Sequence, residues 1–240
     1  MRRPNLFPAF APILALFAGA CSDPAPDTGP DPRNQVMVTI EAIGQSDGTT
    51  RVIACSSRPV NSNCALEGQI VASSAGQEVE LAYGLDDGER RHHGDLDGAE
   101  EDKEIVVSYR NEEAGIDAPS SRVLLPQPFT ITSPAADAPL VIGEEARITW
   151  EPSGGPAPME WVYEATCTGD APGIFGDSGV IEDDPGELTL GPEVLRLREG
   201  DVCTLEIRII RYRYGDLDPA IPDGVILGEQ IRAATLTVGP

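Results

Sequence analysis

The chain has 240 residues, and 40 acidic residues against 17 lysines and arginines give it a formal charge of −23. So acidic a surface excludes nucleic acid as a partner, because phosphates need a basic face. It equally excludes electrostatic adhesion to anionic lipid heads, and 25 glycines with 22 prolines favour short strands and turns over long helices.

The chain opens with Arg2 and Arg3, followed by an apolar stretch from Leu6 to Phe17 that Pro8 and Pro12 interrupt. A basic start, a short apolar core and small residues before a cut site describe an export signal. The stretch is too short to span a bilayer, which takes about 20 apolar residues, and no later segment reaches that length. The signal ends in Ala18-Gly19-Ala20-Cys21. This tetrapeptide resembles the lipobox of bacterial lipoproteins, with Ala18 where leucine is commonest. The resemblance implies cleavage after residue 20, acylation of Cys21 and a membrane tie through the N-terminal lipid. Ser22 follows the cysteine. By the sorting rule of enteric Gram-negative lipoproteins, that favours the outer membrane of the bacterial cell envelope.

Residues 21–34 are dominated by proline and aspartate. Such composition cannot bury enough surface to fold. It predicts a disordered, semi-rigid tether reaching on the order of 40 Å.

The first β domain is expected over residues 35–126. In Val36–Ala42, Val36, Val38, Ile40 and Ala42 share one face. Further strands are read at Arg51–Ser56, Glu78–Tyr83, Glu104–Tyr109 and Arg122–Leu125, the second of them alternating with period two. His92 and His93 lie in a charged run that reads as a solvated loop tip. Gly94-Asp-Leu-Asp97 recurs as Gly215-Asp-Leu-Asp218. Alternate carboxylates beside a glycine turn could supply oxygen ligands to calcium; an acidic hairpin loop explains them as well.

Leu125-Pro-Gln-Pro-Phe129 reads as a domain junction, since two prolines end a strand and stiffen the connection. The second domain is expected over residues 127–240. It starts with strands at Phe129–Pro134 and Gly143–Trp150, a pattern resembling the first strands of immunoglobulin-like sandwich modules. In that family a tryptophan falls between the paired cysteines, whereas Trp150 and Trp161 both precede Cys167. The family's disulfide geometry is therefore not carried over. Later strands are read at Glu160–Cys167 and Cys203–Ile209, with the cysteines on apolar faces suited to an inter-sheet bridge. Arg211-Tyr-Arg-Tyr214 reads either as a recognition surface or as edge-strand protection. A final pair of strands is read at Val225–Gly228 and Ile231–Val238.

The expected fold is therefore all-β, with two small immunoglobulin-like β-sandwich domains behind a cleaved signal and a tether. An exported chain with four further cysteines is expected to form disulfides. Four cysteines allow three connectivities. Pairing Cys55 with Cys64 and Cys167 with Cys203 keeps each bridge inside one domain. No C-x-x-C pair or metal helix is present, so neither metal nor cofactor is expected.

Gly176-Asp-Ser-Gly179 resembles the segment around the nucleophilic serine of trypsin-like proteases, but Val180 replaces that family's next glycine. The rest of that pattern is missing, and a turn between strands accounts for these residues more simply. The chain thus reads as a membrane-anchored lipoprotein without catalytic residues, serving as a binding or structural module. Its partner is a protein or polysaccharide of unknown identity. The alternatives are a carboxylate-based hydrolase or enzyme accessory, and a calcium-ordered adhesion module.

Overall fold

Alternation of apolar and polar residues builds most of the chain into strands. In the computed structural model, residues 37–57, 64, 66–86, 88–168, 173–196 and 202–239 are described. The signal, Cys21 and the tether lie outside them. The described residues fall in one compact unit.

The first half folds as β1 (Met37–Gly44), β2 (Thr49–Ser57), β3 (Gln69–Ser74), β4 (Gln77–Glu80), β5 (Ala82–Asp86), β6 (Glu89–Asp97), β7 (Glu104–Asn111) and β8 (Ile116–Leu124). The second half adds β9 (Thr130–Ser133), β10 (Ala138–Val141), β11 (Ala146–Glu151), β12 (Met159–Thr168), β13 (Gly173–Ile181) and β14 (Glu187–Leu190). A single helical turn, α1 (Pro192–Leu195), precedes β15 (Val202–Tyr214) and β16 (Gly224–Gly239).

One nine-stranded sheet runs in the order β13-β12-β15-β16-β1-β2-β6-β5, with β10 also paired to β16. Two smaller sheets lie on its inner side, β4-β3-β7-β8 and β14-β11-β9. Each encloses an apolar core against its part of the large sheet. The first core takes Val38, Ile40 and Ala42 from β1, Val52 and Ala54 from β2, and Ile105 and Val107 from β7. The second takes Ile148 and Trp150 from β11, Tyr163 and Ala165 from β12, and Leu205, Ile207 and Ile209 from β15. The protein is all-β, built as two two-layer sandwiches that share one large sheet. Full burial of a large apolar side chain stabilises by roughly 1.5–3 kcal/mol, which is why the period-two pattern dictates which face turns inward.

Leu125 belongs to the first core and Phe129 to the second. The C-terminal segment serves both. Ile221 and Ile226 enter the first core, while Ala234, Leu236 and Val238 enter the second. The start of β16 pairs in parallel with β1, Ile40 opposite Ile226, while β15 runs antiparallel along its other side.

Several local expectations are corrected. Glu78–Tyr83 is not one strand. The backbone turns at Leu81, whose N–H donates to the Ile70 carbonyl at 2.9 Å. This leaves β4 in one sheet and β5 in the other. Leu81 is buried in the first core at this bend. The final pair of strands is a single 16-residue strand. Its polar middle is retained because Gln230, fully buried, donates to the carbonyls of Ala99 and Pro126. Disulfides join Cys55 to Cys64 and Cys167 to Cys203. The second is not inter-sheet: its cysteines face each other on adjacent strands β12 and β15 of one sheet.

Candidate functional site

The outer face of the nine-stranded sheet faces away from both cores and carries a mixed apolar and acidic surface. Its composition follows from register. One row across the strands runs Tyr212, Glu229, Ile43, Arg51 and Asp95. The next runs Tyr214, Leu227, Glu41, Ile53 and His93. Glu160 and Ile231 flank Ile210 one row further along. Tyr214 is 70% exposed, and its ring meets that of Tyr212 edge-on at 5.7 Å.

Glu41 and Glu229 sit among these apolar neighbours on adjacent strands. Burial raises the pKa of Glu229 to about 7, with repulsion from Glu41 and Glu160 adding to it. Burial also raises that of Glu41, Arg91 opposing and Glu89 assisting. Tyr212 is raised by burial, then by Tyr214 and Glu160. The cause is the same throughout: a charge in a partly dry, apolar setting is disfavoured. Further along the face, Asp86 is buried and pairs with Arg51 and, at 2.9 Å, with Arg91.

Glycoside hydrolysis by two carboxylates needs them on opposite sides of a cleft. Open depressions of about 490 to 630 Å³ are lined by residues of β12 and β13, of the Glu67 and Asn111 turns, of the Ser74 and Lys103 turns, and of the Gly154 and Asp183 loops. Glu41, Glu160 and Glu229 line none of these depressions. The three carboxylates stand on a sheet face.

The residues singled out from sequence are placed as follows. Gly176–Gly179 is not a turn; it lies inside β13, and Ser178 is exposed opposite Val162. The two glycines are packing residues. A Cβ on Gly176 would come within 2.8 Å of the Tyr163 carbonyl oxygen, and one on Gly179 within 2.8 Å of the Trp161 indole nitrogen. Trp161 stacks on Tyr163 with centroids 6.1 Å apart, so Gly179 makes room for that stack. His92 and His93 are not a loop tip. Both lie in β6, and His92 is 7% exposed with Nδ1 3.5 Å from the Leu81 carbonyl. Ser178 in the second sandwich and His92 in the first do not form a catalytic pair.

The first Gly-Asp-Leu-Asp copy is also strand, with Leu96 in the first core and Asp95 bonded to Arg51 at 3.0 Å. In the second copy, Asp218 accepts from the backbone N–H groups of Ala220 and Ser120 and from the Ser120 hydroxyl. Those bonds hold its carboxyl below the usual range, the Ala220 N–H contributing most. No group of three or more candidate ligands that could hold a metal occurs among the described residues.

Arg211–Tyr214 is not edge protection, because β15 lies inside the sheet between β12 and β16. Its alternation splits the four residues between two sides. Tyr212 and Tyr214 join the outer face. Arg211 is fully buried, bonded to Asp184 at 2.6 Å and to the carbonyls of Gln127 and Pro152. Sequence reading missed Asp184, Glu41 and Glu229. A polar pair interrupting an apolar strand at Glu229-Gln230 was the available signal.

Among the described residues, no helix is long and apolar enough to cross a membrane. No protein-family model and no curated protein matches the chain. Among solved structures, similarity is found to a cytokine receptor complex at 13% identity, covering 72% of this chain and 89% of that one, TM-score 0.30. Fibronectin(III)-like modules of Clostridium thermocellum CbhA match at 13% identity over 84% of this chain and 93% of theirs, TM-score 0.25. The Yersinia pseudotuberculosis adhesin InvE matches at 13% identity over 85% of this chain and 58% of its own, TM-score 0.25.

Proposed function

We propose that this chain is a lipid-anchored, non-catalytic binding module of the bacterial cell envelope, placed in the outer membrane through Cys21. It engages a partner protein with the outer face of its large sheet. The observation that carries the binding role is the pair of rows on that face. They set exposed Tyr214 and half-buried Tyr212, Leu227 and Ile43 beside Glu41 and Glu229. Aromatic residues anchor interfaces because they bury large area at small entropic cost. Two carboxylates in the same patch call for a partner that brings apolar side chains together with lysine or arginine. The lipid tie rests on the sequence: small residues before Cys21 and a proline-rich spacer after it.

Two measurements test the reading. Mass spectrometry of the N-terminal peptide from membrane fractions should find Cys21 acylated; an unmodified, water-soluble chain refutes the anchor. Capture from envelope extract should be compared between the full chain and its variants Tyr214→Ser with Leu227→Ser, and Leu124→Ser. Leu124 lies on β8, outside the large sheet, and is 42% exposed. A bound protein should be lost with the paired outer-face change and kept with Leu124→Ser. Equal capture by both variants, or binding only to polysaccharide, would refute the protein-binding face.

A further inference from the structure

The edges of the sheets are defended unequally. On β4 the edge is four residues with two glutamates, and β9 and β14 are also four residues long. Pro119 interrupts β8, and its Arg122 bridges to Asp216. Strand β5 is five residues long and ends in the Asp86–Arg51–Arg91 cluster. Strand β10 is four residues with Pro139 inside it. These are the usual devices that stop an edge from recruiting another strand. Strand β13 has only one of them, a single charge, Asp177, which lies on the inner row opposite Tyr163 and is paired with Arg196 at 3.7 Å. It ends the nine-stranded sheet, spans nine residues and contains no lysine, arginine or proline. Among the described residues it pairs only with β12.

Its outer row is Ile174, Gly176, Ser178 and Val180. Ile174 is 69% and Val180 73% exposed. Between them the glycine and serine leave an open depression of about 530 Å³, lined by Val162, Glu164, Ile174, Gly176, Ser178 and Arg208. Glu164 lies directly behind Gly176 on β12, is exposed and makes no ion pair among the described residues. Arg208 is bonded to Glu206. The floor of the depression therefore carries a carboxylate that is still to be matched.

We propose that β13 is a docking edge that adds one antiparallel strand from a partner protein, with apolar residues opposite Val180 and Ile174 and a lysine or arginine opposite Gly176. Strand addition gives affinity through main-chain hydrogen bonds and specificity through alternate side chains. Neighbouring strands lie about 4.8 Å apart, so the incoming residue opposite Gly176 stands roughly 10 Å from the backbone of Glu164. Gly176 raises no side chain in between, and a long basic side chain crosses it to the carboxylate. A second copy of this chain fits worse. In a two-fold antiparallel pair centred on β13, Asp177 would face Asp177, and like charges directly opposite destabilise. This edge contact does not depend on the tyrosine-bearing face and is lost or kept separately from it.

The test uses the purified full chain and two labelled peptides, TVTSTKTIT and TVTSTETIT, read by fluorescence anisotropy. The lysine peptide should bind saturably and the glutamate peptide about tenfold more weakly, the equivalent of one charge-assisted contact. Glu164→Gln should remove most of that difference. Ile174→Lys with Val180→Lys should abolish binding while leaving the thermal midpoint unchanged, since both side chains are exposed. Tyr214→Ser should leave peptide binding intact. The proposal is overturned if both peptides bind alike, if binding survives the two lysines, or if no saturation appears by about 1 mM. It is also overturned if the chain sediments as a dimer that the two lysines dissolve, because a second copy would then hold the edge.

Discussion

Arg211 donates from Nη2 to Oδ2 of Asp184 at 2.6 Å, and neither side chain reaches solvent. The carboxylate also accepts from the Trp150 indole N–H and the Gly155 backbone N–H, both at 2.8 Å. The guanidinium donates to the Gln127 and Pro152 carbonyls and stands 5.0 Å from the centroid of the Phe129 ring. One ion pair thus ties the inter-core connection at Gln127 to β11, β15 and the loop before β14. Burial lowers the pKa of Arg211, with Asp184 opposing. The pair is sustained by the bonds to both Nη atoms and to both carboxylate oxygens, because desolvating two charges is costly unless other donors and acceptors meet them; Arg211 Nε is buried without a hydrogen-bond partner among the described residues.

Removing either partner leaves the other buried and uncompensated. Asp184→Ala and Arg211→Ala should each lower unfolding stability by about 3–5 kcal/mol. Arg196→Ala serves as the control. Arg196 is largely exposed and stands 3.7 Å from Asp177, so its loss should cost under about 1 kcal/mol. Urea unfolding followed by tryptophan fluorescence reads all three, since Trp150 is itself a member of the cluster. Arg211 and Arg196 variants of equal stability would show that the buried pair is not a fastening point.

The outer face predicts a pH dependence of its own. Glu229 faces Tyr212 on β15, Glu160 on β12 and Glu41 on β1, and its pKa rises from 4.5 to about 7. Between these two values the folded chain holds a proton that the unfolded chain has released. Stability therefore falls as pH rises through that window, and this contribution is level outside it. The amplitude is on the order of 1–3 kcal/mol. Glu229→Gln should be more stable than the parent at pH 8 and equal to it near pH 4, with a flatter profile between. Glu41, shifted in the same direction, should leave a smaller slope of the same sign. Identical pH profiles for parent and variant would refute the account.

How much of this was legible in the sequence depends on the range of the interaction. Glu104–Tyr109 and Glu160–Cys167 announce themselves, because inward and outward residues alternate within one strand. Strand β13 hides, because Gly176 and Gly179 break its alternation for the sake of Tyr163 and Trp161. Arg211 reads as exposed beside Tyr212, because its counter-charge lies 27 residues earlier in the chain. The outer face could not be read at all. Its pairing of Glu229 with Ile43 comes from a parallel register between opposite ends of the chain, and no local pattern encodes that.

Calcium offers a clean negative test. Asp95 is engaged with Arg51, and Asp218 with Ser120 and Ala220. Carboxylates already committed to internal donors gain little from a cation. The thermal midpoint should therefore be the same in excess calcium and in chelator. A stabilisation that rises with calcium concentration, as linkage requires of a folded-state ligand, would show that the Gly-Asp-Leu-Asp segments do hold the ion.

The cross-strand disulfide predicts the largest effect of a covalent change. Cys167 and Cys203 close a loop of 36 residues between strands that are already hydrogen-bonded. On the chain-entropy account such a loop contributes about 4 kcal/mol by restricting the unfolded chain. Replacing both cysteines by alanine should lower stability by up to that amount without altering the β-sheet circular dichroism signal. Both side chains are buried and flanked on the inner face by Ala165 and Leu205, so the paired strands retain their apolar contacts. Removing the Cys55–Cys64 bridge, which spans nine residues, should cost less, because a shorter loop restrains fewer unfolded conformations. If the two paired replacements rank the other way round, loop entropy is not the source of the stabilisation, and native-state packing around Cys55 must be carrying it instead.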